Sequence, residues 1–248
     1  MKISCVCPTH GRAHVIGEAV ESYLRQEPCG VETELLILND CPEQPLECNA
    51  HGVRVINLPL MKSVCEKFNR TVELARGEYI AWWEDDDISL PWRLRRSLDM
   101  SDGLKDNYKQ KNAWCSHDNV IQKQGENLFF GNSIFRKQDW IDGGGADPNG
   151  YPDLTGHLAI MRAVHARGGN YTMETAEPQD IYWIYRWGGP VSHDSGFGAA
   201  LENAEERARV FRERTLLHPQ FRWGTQEIVP EWRHDYTAMA KEAAQCHA

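Results

Sequence analysis

Through roughly its first hundred residues the chain alternates short apolar runs with stretches whose apolar residues return at helical spacing. That alternation points to one fold class: α/β, a largely parallel sheet with helices on both faces. Ile3 to Cys7 is a β-prone run closed by Pro8. From Ala13 to Gln26, the residues Val15, Ile16, Ala19, Val20, Tyr23 and Leu24 form the stripe of an amphipathic helix. Leu35 to Leu38 is too short for a helix and is bounded by Asn39, Asp40 and Pro42. It suits a strand buried on both faces, with Asp40 at its carboxyl end. Val53 to Ile56 makes a third strand. Ser63 to Ala75 makes a helix with Val64, Phe68, Thr71, Val72 and Ala75 on one face, ended by Gly77. Tyr79 to Trp83 is the fourth strand, with Trp82 and Trp83 on opposite faces. It runs into Glu84-Asp85-Asp86-Asp87, after which Ser89 is expected to cap the next helix and Pro91 to lie near its start.

In such sheets ligands bind beyond the carboxyl ends of the strands. Thr9-His10-Gly11-Arg12, Asn39-Asp40 and the run from Glu84 to Asp87 all lie there. Successive carboxylates repel one another, and a hard divalent cation relieves that repulsion. Mg2+ and Mn2+ prefer oxygen ligands and often share them with substrate phosphates. Read alone, an acidic run is equally a solvated loop; its place after a buried strand favours a site for a metal and a diphosphate.

From about Ser101 the pattern loosens, punctuated by Gly143-Gly144-Gly145 and Gly188-Gly189-Pro190, and aromatic residues crowd at Tyr182, Trp183, Tyr185 and Trp187. Leu201 to Leu217 reads as a helix carrying Arg207, Arg209, Arg212 and Arg214. Its mixed charge favours a solvated face over an anion-binding patch. A chain of 248 residues with 41% hydrophobic and 25% charged content can bury a sizeable core. A net charge of −9 argues against a nonspecific grip on nucleic acid. No apolar run approaches the ~20 residues of a membrane-spanning helix, and Pro8 interrupts the N-terminus before a signal-peptide core develops; a cytoplasmic protein without a membrane span is expected. The eight cysteines include no C-x-x-C pair and read as free thiols.

Val6-Cys7-Pro8-Thr9-His10-Gly11-Arg12 resembles the "V-I-P-T-x-N-R" that opens family 2 glycosyltransferases of the GT-A fold, and Leu36-Ile37-Leu38-Asn39-Asp40 resembles their "I-V-V-N-D". Ser63 to Asn69, Ala75 to Asp87 and Pro91 to Leu94 are similar to a branch reading "S-I-G-x-K-R-N … A-x-G-E-Y-I-x-x-W-D-D-D-D … P-x-R-L". The ordered motifs cover residues 3 to about 98, and fainter similarity continues to Gly156.

The resemblance implies a glycosyltransferase, hexosyl- or related, that takes its sugar from a nucleotide-diphosphate donor, UDP-linked or similar, with Mn2+ or Mg2+. It divides the chain into a nucleotide-sugar-binding Rossmann-like half (1–100), an acceptor-binding and catalytic half (101–200) and a helical extension (201–248). Pro8, Thr9 and Arg12 would line the nucleotide pocket, Asp40 would hydrogen-bond the base, and Lys67 and Asn69 would help hold the donor. The acidic run corresponds to the DXD motif. Glu84 would stand first and contact the ribose of the donor or a metal-bound water, Asp85 would contact the donor and Asp86 would be the metal ligand; Asp85-Asp86-Asp87 is the alternative register. Phe68 replaces an Arg of the branch, leaving its phosphate contact to Arg12 or Arg186. Inverting transfer needs one base, and the family's "E-D-x-D-L" segment assigns it to Asp153, with Asp147 in reserve and a plain turn residue after Pro152 as the alternative. His193 lies where related enzymes carry a late metal or phosphate ligand; a surface His beside Asp194 is the other reading. The acceptor stays open among a glycan, a small molecule, a protein and a modified nucleic-acid base. A nucleotidyltransferase and a non-catalytic sugar-nucleotide-binding module are the competing classes. Pro8 to Arg12 lacks the Gly-rich phosphate loop and Lys of the former, whereas Glu84 motivates the latter.

Overall fold

The computed structural model describes residues 1–117, 120–123, 131–150, 152–186 and 204–247. Strand β1 (Lys2–Thr9) leads through a loop into helix α1 (Ala13–Leu24), followed by β2 (Glu32–Asn39), the short β3 (Leu46–Glu47) and β4 (Val53–Asn57). Helix α2 (Val64–Leu74) starts where Ser63 Oγ accepts the Glu66 amide at 3.2 Å, which satisfies one of the unpaired donors of its first turn. The chain continues with β5 (Tyr79–Trp82), β6 (Ile88–Ser89), α3 (Arg93–Met100), β7 (Asn107–Gln110), β8 (Trp114–His117), β9 (Val120–Lys123) and β10 (Ser133–Arg136). Helices α4 (Lys137–Asp142) and α5 (Pro152–Ala166), strands β11 (Tyr171–Glu174) and β12 (Trp183–Arg186), helix α6 (Ala204–Leu216), strand β13 (Gln226–Glu227) and helix α7 (Tyr236–Cys246) complete it.

The main sheet has seven strands in the order β11-β7-β10-β5-β1-β2-β4. β1 is parallel to both β2 and β5, and β2 is parallel to β4; β10 runs antiparallel between β5 and β7. Strands from both sides of residue 100 therefore share one sheet. The side chains of β1 and β2 alternate between two cores. Cys5, Cys7, Leu35 and Ile37 pack with α1, α3, α7 and Trp83, whereas Val6 and Leu36 pack with α2, α5 and Trp82. The two tryptophans thus face opposite sides, as the strand period requires. Gly77, between α2 and β5, passes so close to β1 that a Cβ there would lie 2.5 Å from the Ser4 amide nitrogen.

A second sheet, β6-β12-β8-β9, covers part of the first core. It corrects one expectation. Ser89 does not cap α3: its backbone pairs with Trp183 in β6, its hydroxyl accepts from Arg93 at 2.6 Å, and the helix begins at Arg93 after Trp92. Pairing with β12 takes up the residues just after the acidic run. All eight cysteines are free thiols. Among the described residues no helix is long and apolar enough to cross a membrane.

Candidate active site

Because β1, β2 and β5 are parallel, their carboxyl ends come out on one rim of the sheet, where Pro8 pairs with Leu38 and Thr9 with Asn39. Asp40 follows β2 directly. Its Oδ1 accepts from His10 Nδ1 at 2.9 Å and from Lys67 Nζ at 3.2 Å, and Lys67 also donates to the Thr9 carbonyl at 3.3 Å. Burial pushes the Asp40 carboxyl up, but the Lys67 ammonium and His10 outweigh it and hold the carboxyl down at about 2.

The acidic run reaches back to the loop after β1. Asp85 accepts from the Thr9 hydroxyl at 2.6 Å through Oδ2 and from Arg12 at 2.7 Å through Oδ1, and the same Arg12 nitrogen donates to Asp86 Oδ2 at 2.8 Å. Asp87 turns the other way: its Oδ1 accepts the Arg186 backbone N–H at 2.8 Å. Burial, and then the neighbouring Asp86 charge, push the Asp87 carboxyl well above the usual carboxylate range. Glu84 accepts from the Trp82 indole at 3.0 Å and lies against Gly131. Helix α6 covers this rim. The Phe211 ring centre is 5.6 Å from the Arg12 guanidinium carbon and 5.8 Å from the His10 ring centre. Gly11 adopts a φ of +63° beneath it, where a Cβ would collide with Thr215. His10, Asp40, Asp85 and Asp86 are each at most 5% exposed.

With this geometry established, the profile of glycosyl transferase family 2 matches residues 4–167. The chain belongs to glycosyl transferase family 2. Succinoglycan biosynthesis protein ExoO of Rhizobium meliloti (strain 1021) is 31% identical over 105 residues, covering 40% of this chain and 30% of that protein, so the chain spans a minor part of that relative. Among solved structures, S. aureus TarS 1-349 in complex with UDP-GlcNAc aligns at a TM-score of 0.63 with 14% identity, covering 90% of this chain and 68% of the other. The same protein in complex with UDP aligns at 0.54 with 14% identity over 87% and 71%. These likenesses establish the fold, and the mixed sheet flanked by helices is the expected GT-A architecture.

In this family 2 chain the rim brings together Pro8, Thr9, Arg12, Asp40, Lys67, Asp85 and Asp86. Asn69 sits elsewhere. Its carboxamide accepts the Ala146 amide at 2.9 Å and the Trp140 indole at 3.1 Å and donates to the Ala146 carbonyl at 2.8 Å, which anchors the turn through Gly143, Gly144 and Gly145. Asp147 is exposed and accepts the Asn149 amide at 2.9 Å, a local turn contact. Asp153 lies in the first turn of α5, with its side chain outside the described part of the structure, and His193 falls outside the described residues. Phe68 is core, its ring centre 4.4 Å from that of Trp82.

Asp85 and Asp86 offer hard oxygen donors of the kind Mg2+ and Mn2+ take. Among the described residues no three His, Cys, Asp or Glu side chains converge as a cage. A separate cleft of about 520 Å³, lined by Trp92, Arg96, Trp114, Gln179 and Gln245 among others, shares no residue with the acidic run. Two functional candidates were missed in the sequence, Glu18 and Phe211. Glu18 left a readable trace: it is a charge in the apolar stripe of α1, between Val15 and Ser22.

Proposed function

We propose that this chain transfers a sugar from a nucleotide-diphosphate donor, UDP-linked, to an acceptor hydroxyl, with inversion. The observation that carries this reading is the joining of Thr9 and Arg12 to Asp85 and Asp86, beside the buried His10-Asp40-Lys67 group, on the rim where α/β sheets bind ligands. TarS, which shares the fold, has been solved with UDP-GlcNAc and with UDP.

In this reading Asp40, ionised at neutral pH, accepts a hydrogen bond from the base while Lys67 and His10 fix its orientation. Arg12 presents paired guanidinium donors that suit phosphate oxygens. Asp85 and Asp86 hold Mn2+ or Mg2+, which when bound supplies positive charge to the departing diphosphate. Asp153, at the start of α5 behind the turn that Asn69 anchors, takes the proton of the acceptor hydroxyl. His193, which follows β12 in sequence and lies outside the described residues, is the further candidate ligand.

Incubating the protein with Mn2+ and a panel of nucleotide sugars, and assaying the released nucleotide, tests the reading. Release of UDP with a mass gain on an acceptor is the expected result. Pyrophosphate release would identify nucleotidyl transfer instead, and saturable binding without turnover would reduce the chain to a binding module.

A further inference from the structure

The acidic run is gripped from behind by residues that lie beyond position 167, where the family match ends. Arg186, at the end of β12, donates its backbone N–H to Asp87 Oδ1 at 2.8 Å and its Nε to the Asp86 carbonyl oxygen. Its terminal nitrogen pairs with Glu18 Oε2 at 2.5 Å. Glu18, in α1 and 2% exposed, accepts in turn from the Tyr236 hydroxyl at 2.8 Å and the Arg233 backbone N–H at 3.1 Å through Oε1. One connected group therefore runs from the start of α7 through Glu18 and Arg186 to the peptide between Asp86 and Asp87.

Two anchors on consecutive residues fix that peptide. With the Asp86 carbonyl and the Asp87 carboxyl both turned toward Arg186, the Asp86 side chain is left on the opposite side, where it meets Arg12. A buried Arg–Glu pair adds little net stability over an apolar pair of the same size, so a positional role accounts better for its presence here.

We infer that Arg186 and Glu18 are positioning residues that set the register of the acidic run. They turn Asp87 into the protein and present Asp85 and Asp86 to the donor, and Arg233 and Tyr236 brace them. The inference rests on the donor-binding reading of the rim, and it takes Arg186 away from direct phosphate contact.

The test compares the wild-type chain with Arg186→Lys, Glu18→Gln, Tyr236→Phe and a control, Glu34→Gln. Glu34 is another buried carboxylate, held by Ser4 and Arg54 near the opposite end of β2. UDP binding is measured calorimetrically with Mn2+ and again with EDTA, alongside melting temperature. Arg186→Lys and Glu18→Gln are expected to weaken Mn2+-dependent UDP binding about tenfold or more while leaving binding in EDTA at the wild-type level. Tyr236→Phe, the mildest change, acts in the same direction by less. Glu34→Gln lowers the melting temperature without touching either affinity. Positioning variants that bind UDP with Mn2+ as wild type does, or that lose both affinities in step with their melting temperature, overturn the inference alone. Wild type that binds UDP in neither condition overturns the donor reading and the inference with it.

Discussion

Asp86 and Asp87 are chain neighbours in opposite surroundings. Asp86 meets a guanidinium on the rim, whereas Asp87 is buried against the Arg186 amide, where burial and then the Asp86 charge push its carboxyl up. Their substitutions should therefore part. Asp86→Asn should cut kcat about a hundredfold, equivalent to about 3 kcal/mol of lost transition-state stabilisation. Asp87→Asn keeps the acceptor for the Arg186 amide and should leave kcat within a small factor of wild type. Asp87 also carries a sign. A carboxyl whose folded-state pKa is raised contributes stability below its unfolded value of about 3.9 and loses it as pH rises through the folded value. Asp87→Asn should accordingly match or exceed the wild-type melting temperature at neutral pH. Thermal melts and steady-state kinetics on the two variants check both statements, and equal loss of activity in the two would refute the assignment.

At the scale of elements, α6 packs over the loop after β1 on the rim, through Phe211 and Thr215. With Phe211 over His10 and Arg12, and His10, Asp40, Asp85 and Asp86 at most 5% exposed, the proposed base contact at Asp40 predicts that this helix shifts when a nucleotide binds. Phe211→Ala should raise the association rate constant for UDP in stopped-flow tryptophan fluorescence; an unchanged rate would show that α6 is no barrier. The covering role was not legible in the sequence, because Phe211 lies in a stretch of mixed charge that reads as solvated. β1, β2, α1, α2 and β5 were legible from apolar runs and helical spacing, although β1 runs on through Pro8 to Thr9 and α2 ends at Leu74, before Gly77. The second sheet was not. β6, β8, β9 and β12 are at most four residues long, and two of the three pairings, those of β12 with β6 and with β8, join segments far apart in sequence, such as Ser89 and Trp183.

Across the whole molecule, three buried carboxyls are held below their ordinary values by their partners. In Asp40, Glu18 and Glu34, burial pushes the carboxyl up. Lys67 with His10, Arg186 with Tyr236, and Ser4 with the Arg76 amide and Arg54 outweigh it. Carboxyls lowered in this way add stability above their unfolded values and lose it as pH falls through the folded ones. Asp40 alone accounts for about 2 kcal/mol, lost between roughly pH 4 and its folded value of about 2. Asp40→Asn should therefore flatten the acid limb of a denaturant-midpoint profile against pH; a limb as steep as wild type would contradict the pairing. Sequence brought Asp40 and the acidic run to one rim through strand direction, a whole-sheet property. It left Arg186 assigned by resemblance alone, since only the folded chain sets β12 behind residues 86 and 87. Arg12 already straddles Asp85 and Asp86. On the proposed reading, a divalent ion bound with the donor would take the place Arg12 holds beside Asp85 and Asp86, so that a cation faces these two carboxylates with or without donor.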